Sequence, residues 1–278
     1  MNKILVPTDF SKQANNALKV SAQIAKQHDC EIYLLHLLDL PLDLIDPVNE
    51  GVGNDLPEAL FFMKLAHKRF TETFETFEKE LEGIKIHETV EFNEAFDGIL
   101  EISKKHDCDM IVMGSNGAEG LKEIFVGSNT EKVVRHAEIP VLVVKESLDI
   151  SKIKSISFAS SLKSSQKTTF TKAINLAQSF NAQLKLVYIN TPENFKTTRQ
   201  INERFKTFTE DINLDEIDFK VYADRSIEEG IKNYSEDINA NMISIGTHGR
   251  KGISHFFNGS LSENLVNHSK RPVITFKI

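Results

Sequence analysis

Met110-Ile111-Val112-Met113-Gly114-Ser115-Asn116-Gly117 reappears, without a gap, as Met242-Ile243-Ser244-Ile245-Gly246-Thr247-His248-Gly249. The two runs lie 132 residues apart, and the same spacing links Gly98-Ile99 to Gly230-Ile231 and Pro140-Val141 to Pro272-Val273. Nearer the start the spacing widens to 152, where Ile4, Ala25, Ile32 and Leu34 match Ile156, Ala177, Leu184 and Leu186. The first half therefore carries 20 extra residues between about Asp39 and Phe62. A chain of 278 residues is about twice an ordinary domain. Duplication accounts for that length: one domain over 1–145 and a second over 153–278, joined by the short linker Lys145–Ile153.

Each half alternates strand and helix. Ile4–Pro7 reads as a buried strand, and Ala14, Ala17, Leu18, Ala22 and Ala25 mark one face of the next helix. Ile32–Leu38 is a second strand. Phe70, Phe74, Phe77 and Leu81 then step by four, three and four along a long helix, a stripe repeated as Ile201, Phe205, Phe208 and Ile212. Such stripes are core, not cofactor contacts. A strand near Ile86–Phe92, a short helix through Ile99 and Ile102, the strand Met110–Met113, a helix from about Ser128 to His136 and the strand Val141–Val144 complete the unit. Strands that are apolar throughout and separated by helices imply a parallel sheet with right-handed crossovers. The expected class is α/β, two tandem doubly wound five-stranded domains.

Composition removes several functions. The net charge is −7, which argues against broad nucleic-acid binding. It is uneven: residues 1–145 hold 15 Lys/Arg against 25 Asp/Glu, and 146–278 hold 18 against 15. No apolar run approaches the roughly 18 residues that a bilayer span needs, so no membrane partner is expected. The opening residues enter a strand directly, without the succession of a basic stretch, apolar stretch and cleavage site that marks an export signal. Cys30 and Cys108 cannot form a disulfide framework, and the cytoplasm is the expected compartment. The nine histidines show no metal-ligand spacing, so no metal site is expected, and His36 in its buried strand reads as a satisfied core residue. A G-x-x-x-x-G-K-[ST] loop, a nucleophile elbow and a G-x-G-x-x-G turn after strand one are all missing, and no general base stands out. No catalytic residue is assigned, and a binding module is favoured over an efficient enzyme.

In doubly wound sheets ligands bind at the carboxyl ends of the strands where the winding reverses. After strand four comes Gly114-Ser115-Asn116-Gly117, nine residues, then Gly127-Ser128 opening a helix. The second half repeats the pattern with Gly246, Gly249, Gly259 and Ser260. Glycines let backbone amides approach an anion, and the helix start adds unpaired N–H groups suited to phosphate. A second account is equally available. Ser128-Asn129-Thr130-Glu131 and Ser260-Leu261-Ser262-Glu263 both fit a capping box, and the glycines fit plain turns.

The pattern G-x-x-G-x9-G-[ST], the opening Ile4-Leu5-Val6-Pro7-Thr8-Asp9-Phe10-Ser11 and His36-Leu37-Leu38-Asp39 together resemble the universal stress protein family, twice over in tandem. The resemblance implies strand order 3-2-1-4-5 and an adenine nucleotide, ATP or else AMP or ADP, with magnesium as its accompanying ion. It places Pro7 and Thr8 along the adenine pocket, Asp9 on the ribose hydroxyls and Leu37 at the adenine edge. Met113 and Gly114 would flank the ribose and first phosphate, and Gly117, Gly127, Ser128 and Asn129 would hold the phosphates. Asn129 departs from the family's usual Val, but its backbone N–H survives the change. Asp9 has a rival role, because an Asp after a strand often closes an Asx turn or caps the next helix.

The resemblance also implies that the last strands of the two halves pair, making an intrachain pseudo-dimer; assembly of two chains into a homodimer follows only by analogy. The second half departs from the pattern. Ser161 stands in place of Asp9, Ala159 in place of Pro7 and Tyr188-Ile189 in place of His36-Leu37, so nucleotide binding there is expected to be weak, altered or absent. His248 and Arg250 in its glycine loop read as exposed loop polarity rather than phosphate ligands. The insertion Asp39–Glu58, rich in leucine and acidic residues with no Lys or Arg, is expected as a lid, a surface for a protein partner, or plain surface loop. Two other functions compete with nucleotide-binding stress regulation: a slow ATPase or autophosphorylating enzyme, and a nucleotide-independent interaction scaffold.

Overall fold

A computed structural model of the chain describes residues 1–38, 56–115, 128–212, 218–247 and 261–278. The first half runs β1 (Lys3–Pro7), α1 (Lys12–His28), β2 (Glu31–Leu38), α2 (Leu56–Thr76), α3 (Glu78–Leu81), β3 (Ile86–Phe92), α4 (Ala95–Lys105), β4 (Met110–Gly114), α5 (Ser128–His136) and β5 (Val141–Val144). The second runs β6 (Ser155–Ala159), α6 (Lys167–Ser179), β7 (Gln183–Asn190), α7 (Thr198–Thr209), β8 (Asp218–Ala223), α8 (Ile227–Asp237), β9 (Met242–Thr247), α9 (Leu261–His268) and β10 (Val273–Lys277). Within each half the strand order is 3-2-1-4-5. The two five-stranded sheets do not stay separate. They merge into one ten-stranded sheet, β3-β2-β1-β4-β5-β10-β9-β6-β7-β8.

The junction is the expected pairing of last strands. Val273, Ile274 and Thr275 lie antiparallel to Val143, Leu142 and Val141, while the other strand pairs are parallel. Pairing removes two apolar edges that would otherwise be open to aggregation. Because side chains alternate across a strand, Ile4 and Val6 enter the core on one face of the sheet and Leu5 the core on the other. Both cores run through both halves: Leu142, Ile156 and Ile274 share the first, Val141, Val187 and Val273 the second. The linker is part of this packing. Ile150 and Ile153 are buried, and the Gln23 side chain on α1 donates to the Leu148 carbonyl (2.9 Å) and accepts the Ile150 N–H (2.8 Å).

Two expected boundaries shift. The aromatic stripe does not ride on one helix: the helix ends at Thr76, and Phe77 at φ −115°, ψ 26° separates it from the single turn of α3. Phe70, Phe77 and Leu81 nevertheless all stay buried, because α3 continues along the same face of the sheet. The expected insertion 39–58 ends earlier than its composition suggests, since Leu56 already opens α2; residues 39–55, and with them the lid expectation, lie outside the described residues.

Candidate functional site

The candidate corner is built where β1 ends. The Thr8 N–H donates to the Leu35 carbonyl at 2.7 Å, one residue past the last β1–β2 pair, Pro7 with Leu35. Pro7 is the last strand residue. The chain then turns sharply, with Phe10 in the left-handed region at φ 62°. Two side chains hold that turn. Thr8 Oγ1 accepts the Phe10 N–H (3.0 Å), and Asp9 Oδ1 accepts the Ser11 N–H (2.9 Å) in an Asx turn. Ser11 in turn caps α1 through the Ala14 N–H at 3.2 Å.

Asp9 thus takes the turn role that rivalled ribose binding, but with only one oxygen. Its carboxylate is exposed, and among the described residues Oδ2 accepts no hydrogen bond and the Thr8 hydroxyl donates none. Beneath them, His36 Nδ1 bonds the Thr8 carbonyl at 2.8 Å, which puts the proton on Nδ1. Burial holds its pKa below the ordinary histidine value, against the opposing pull of that bond, so the ring is neutral at pH 7. The Phe10 ring packs against His36 (4.7 Å) and Phe70 (5.1 Å), with the Arg69 guanidinium over its face at 5.7 Å. His36 is hydrogen-bonded at Nδ1, but it is half-buried at the strand end rather than in the core.

Leu37 sits beyond the end of β1. β2 pairs with β3 out to Leu38 but with β1 only to Leu35, so the β1-facing edge of His36–Leu38 carries no strand partner. The Leu37 side chain is committed elsewhere, lying over Gly98 of α4, where a Cβ would meet it at 2.5 Å. The pair Ile189 and Gly230 repeats this contact in the second half, which explains why glycine recurs at that point of the repeat.

At the neighbouring strand end, the expected role of Met113 narrows. Its side chain is 5% exposed and sits in the core with Leu5, Leu35 and Ile99, leaving only its backbone for a ligand. Gly114 is glycine for packing: a Cβ there would stand 2.7 Å from the Gln13 carbonyl carbon of α1. The Gly114 carbonyl also accepts the Thr130 hydroxyl (3.2 Å), tying the start of α5 to the end of β4. Sequence reasoning missed Thr130, whose only signal was its place beside the Ser-Asn pair of the expected capping box. Ser128 and Asn129 do open α5, and Asn129 is exposed. One oxygen of Glu131, expected to reach back to that helix start, instead accepts Asn267 Nδ2 of the other half at 2.9 Å. Pro7, Thr8, Asp9, Leu37, Met113 and Gly114 thus lie at or just past the carboxyl ends of β1, β2 and β4, with Ser128 and Asn129 at the start of α5. Gly117, Gly127, Gly249, Gly259, Ser260, His248 and Arg250 lie outside the described residues.

The second half rebuilds the turn and closes it. Ser160 N–H donates to the Val187 carbonyl (3.0 Å), Ser160 Oγ accepts the Leu162 N–H (3.0 Å), and Leu162 is left-handed at φ 57°. Past Leu162 the two halves diverge. A 3₁₀ turn, Ser164–Gln166, precedes α6 and brings Gln166 back over the corner. Its Oε1 accepts Ser160 Oγ at 2.8 Å, Ser161 N–H at 2.9 Å and Ser161 Oγ at 2.9 Å. At the neighbouring strand end the Ile278 side chain lies against Gly246, where a Cβ would meet it at 2.7 Å.

The universal stress protein family profile matches residues 1–145 and again 152–277. Universal stress protein MJ0531 of Methanocaldococcus jannaschii is 34% identical over 146 residues, 52% of this chain and 82% of that protein. Universal stress protein MJ0577 of the same organism is 35% identical over 152 residues, 51% of this chain and 94% of that protein. A universal stress protein structure from Archaeoglobus fulgidus superposes over 99% of this chain and 96% of its own at TM-score 0.72 and 21% identity, a likeness of fold. Two family matches on two copies of one strand order leave a single conclusion: the chain belongs to the universal stress protein family, as a tandem pair of its domains.

Proposed function

We propose that the protein binds an adenine nucleotide, ATP foremost, in its first half and acts as a stress-response regulator rather than as a fast catalyst. One observation carries the reading. At the corner where the winding reverses, Asp9 keeps a carboxylate oxygen and Thr8 a hydroxyl hydrogen uncommitted among the described residues, while the equivalent groups of the second half are spent. A ribose presents hydroxyl donors, and an exposed carboxylate oxygen is a strong acceptor for them. The open edge of β2 beyond Leu35 offers backbone groups to a flat heterocycle beside it. His36, bonded through Nδ1 to the Thr8 carbonyl, holds the turn. Magnesium would come with the nucleotide's phosphates. The cytoplasm is the proposed location, in keeping with two buried free thiols.

Calorimetric titration of the full chain with ATP and magnesium tests this. A hydrogen bond to a charged group is worth about 1.5–3 kcal/mol, so Asp9→Ala should weaken binding about 10- to 150-fold. Ser161→Ala should leave affinity unchanged. No heat of binding in the unaltered chain would refute the proposal. Steady phosphate release that Asp9→Ala abolishes would instead establish the slow-ATPase reading. A partner-binding role has one observation of its own: Leu60, Phe61 and Leu65 stand 50%, 62% and 39% exposed along α2.

A further inference from the structure

Gln166 falls, at the spacing of 152, on the place of Ala14 in the first half, as Ser161 falls on that of Asp9. From that exchange we infer that Gln166 is the residue that shuts the second half to nucleotide and so fixes binding at one site per chain. The inference rests on the nucleotide reading of the first half.

The backbone of the second corner is intact. The strand-end bond (3.0 Å against 2.7 Å), the left-handed residue (φ 57° against 62°) and the hydroxyl that accepts its N–H (3.0 Å in both) are all reproduced. Loss of the turn therefore does not account for a silent site. The change is in polarity and occupancy. An Ala methyl leaves the first corner free, whereas the Gln166 amide is 7% exposed and its oxygen gathers three donors. Both serine hydroxyls are turned inward to that oxygen. A ribose entering there would have to break three hydrogen bonds, that of Ser160 buried and those of Ser161 part-buried, and would find no carboxylate in return.

Restoring the first half's own residues should reopen the site. With the full chain, calorimetry should count one ATP per unaltered chain and two for the Ser161→Asp/Gln166→Ala variant. On an Asp9→Ala background the same pair should restore one site of about the parent's affinity. Ser161→Asp/Gln166→Glu keeps an acceptor at position 166 and should stay at one. Because a buried substitution can disturb folding, the unaltered chain gives a second reading. Photocrosslinking with 8-azido-ATP should label peptides of 1–145 alone. Label in 153–278, or a folded reopened variant that still binds one ATP, overturns the inference while leaving the first-half site standing. An unaltered chain that binds no ATP at all removes the first-half reading and this one with it.

Discussion

Gly98 and Gly114 both lack a side chain to make way for a neighbour, yet the neighbours differ in how far they can yield. An added methyl at Gly98 meets the tip of Leu37, a flexible group, at 2.5 Å; at Gly114 it meets the main chain of Gln13 at 2.7 and 2.8 Å. A rotamer change relieves the first clash, whereas the second requires α1 to move off the sheet. Gly114→Ala should therefore lower unfolding free energy by about 1–3 kcal/mol, the usual cost of overpacking, and Gly98→Ala by clearly less. Urea midpoints of the two variants check the order. His36 makes a second prediction at this scale. Its pKa in the folded chain lies below the unfolded 6.5, so the unfolded chain takes up the proton first as pH falls. The stability it contributes is complete above about pH 6.5 and is lost as pH drops through the lower folded value. His36→Gln, whose amide can still donate to the Thr8 carbonyl, should lose less stability than the parent between pH 7 and 5.5, and equal losses would discard this account.

At the scale of elements, the aromatic stripe is core, as its spacing implies, but it is not one helix. Helical spacing reports which residues share a face, and Phe70, Phe77 and Leu81 do share one. It does not report whether the backbone between them is continuous, because one residue at φ −115° changes direction without moving the stripe to another face. Phe70 is wholly buried at the centre of that face, so Phe70→Ala should cost about 3–5 kcal/mol in chemical denaturation. Strand positions are legible throughout, since runs such as Met110–Met113 are apolar on both faces and can only be central strands. The corner is half legible. Pro7, Thr8 and Asp9 are visible as a strand end, and the Asx alternative for Asp9 is visible with them. The capture of Ser160 and Ser161 by Gln166 is not, because it depends on a 3₁₀ turn in place of the first turn of a helix. The exchange of Ala14 for Gln166 is nonetheless there to be seen at the spacing of 152.

Across the whole molecule, the junction is held by a reciprocal pair that no local pattern announces, since its partners stand over 100 residues apart. Lys145 Nζ donates to the Asn267 carbonyl (2.6 Å), and Lys277 Nζ donates to the Arg135 carbonyl (3.2 Å), each reaching the last turn of a helix in the other half. A cation there meets carbonyls that the helix itself leaves unpaired. Burial draws the Lys145 pKa down to about 8, against 10.5 in the unfolded chain. The folded protein consequently binds fewer protons between pH 8 and 10.5, and this group's contribution to stability rises with pH across that window. Lys145→Met should lack the rise, so the gap between parent and variant urea midpoints should shift in the parent's favour from pH 8 to 10. A constant gap would show that the ammonium is not desolvated at the seam.

The antiparallel meeting of β5 and β10 has a geometric corollary. Every strand of one half points opposite to every strand of the other, so the Asp9 and Ser161 corners open on opposing rims, back to back. A macromolecule that docks on the Asp9 rim therefore meets a different surface from one that docks on the Ser161 rim, and the two ends of this protein are free to face different company.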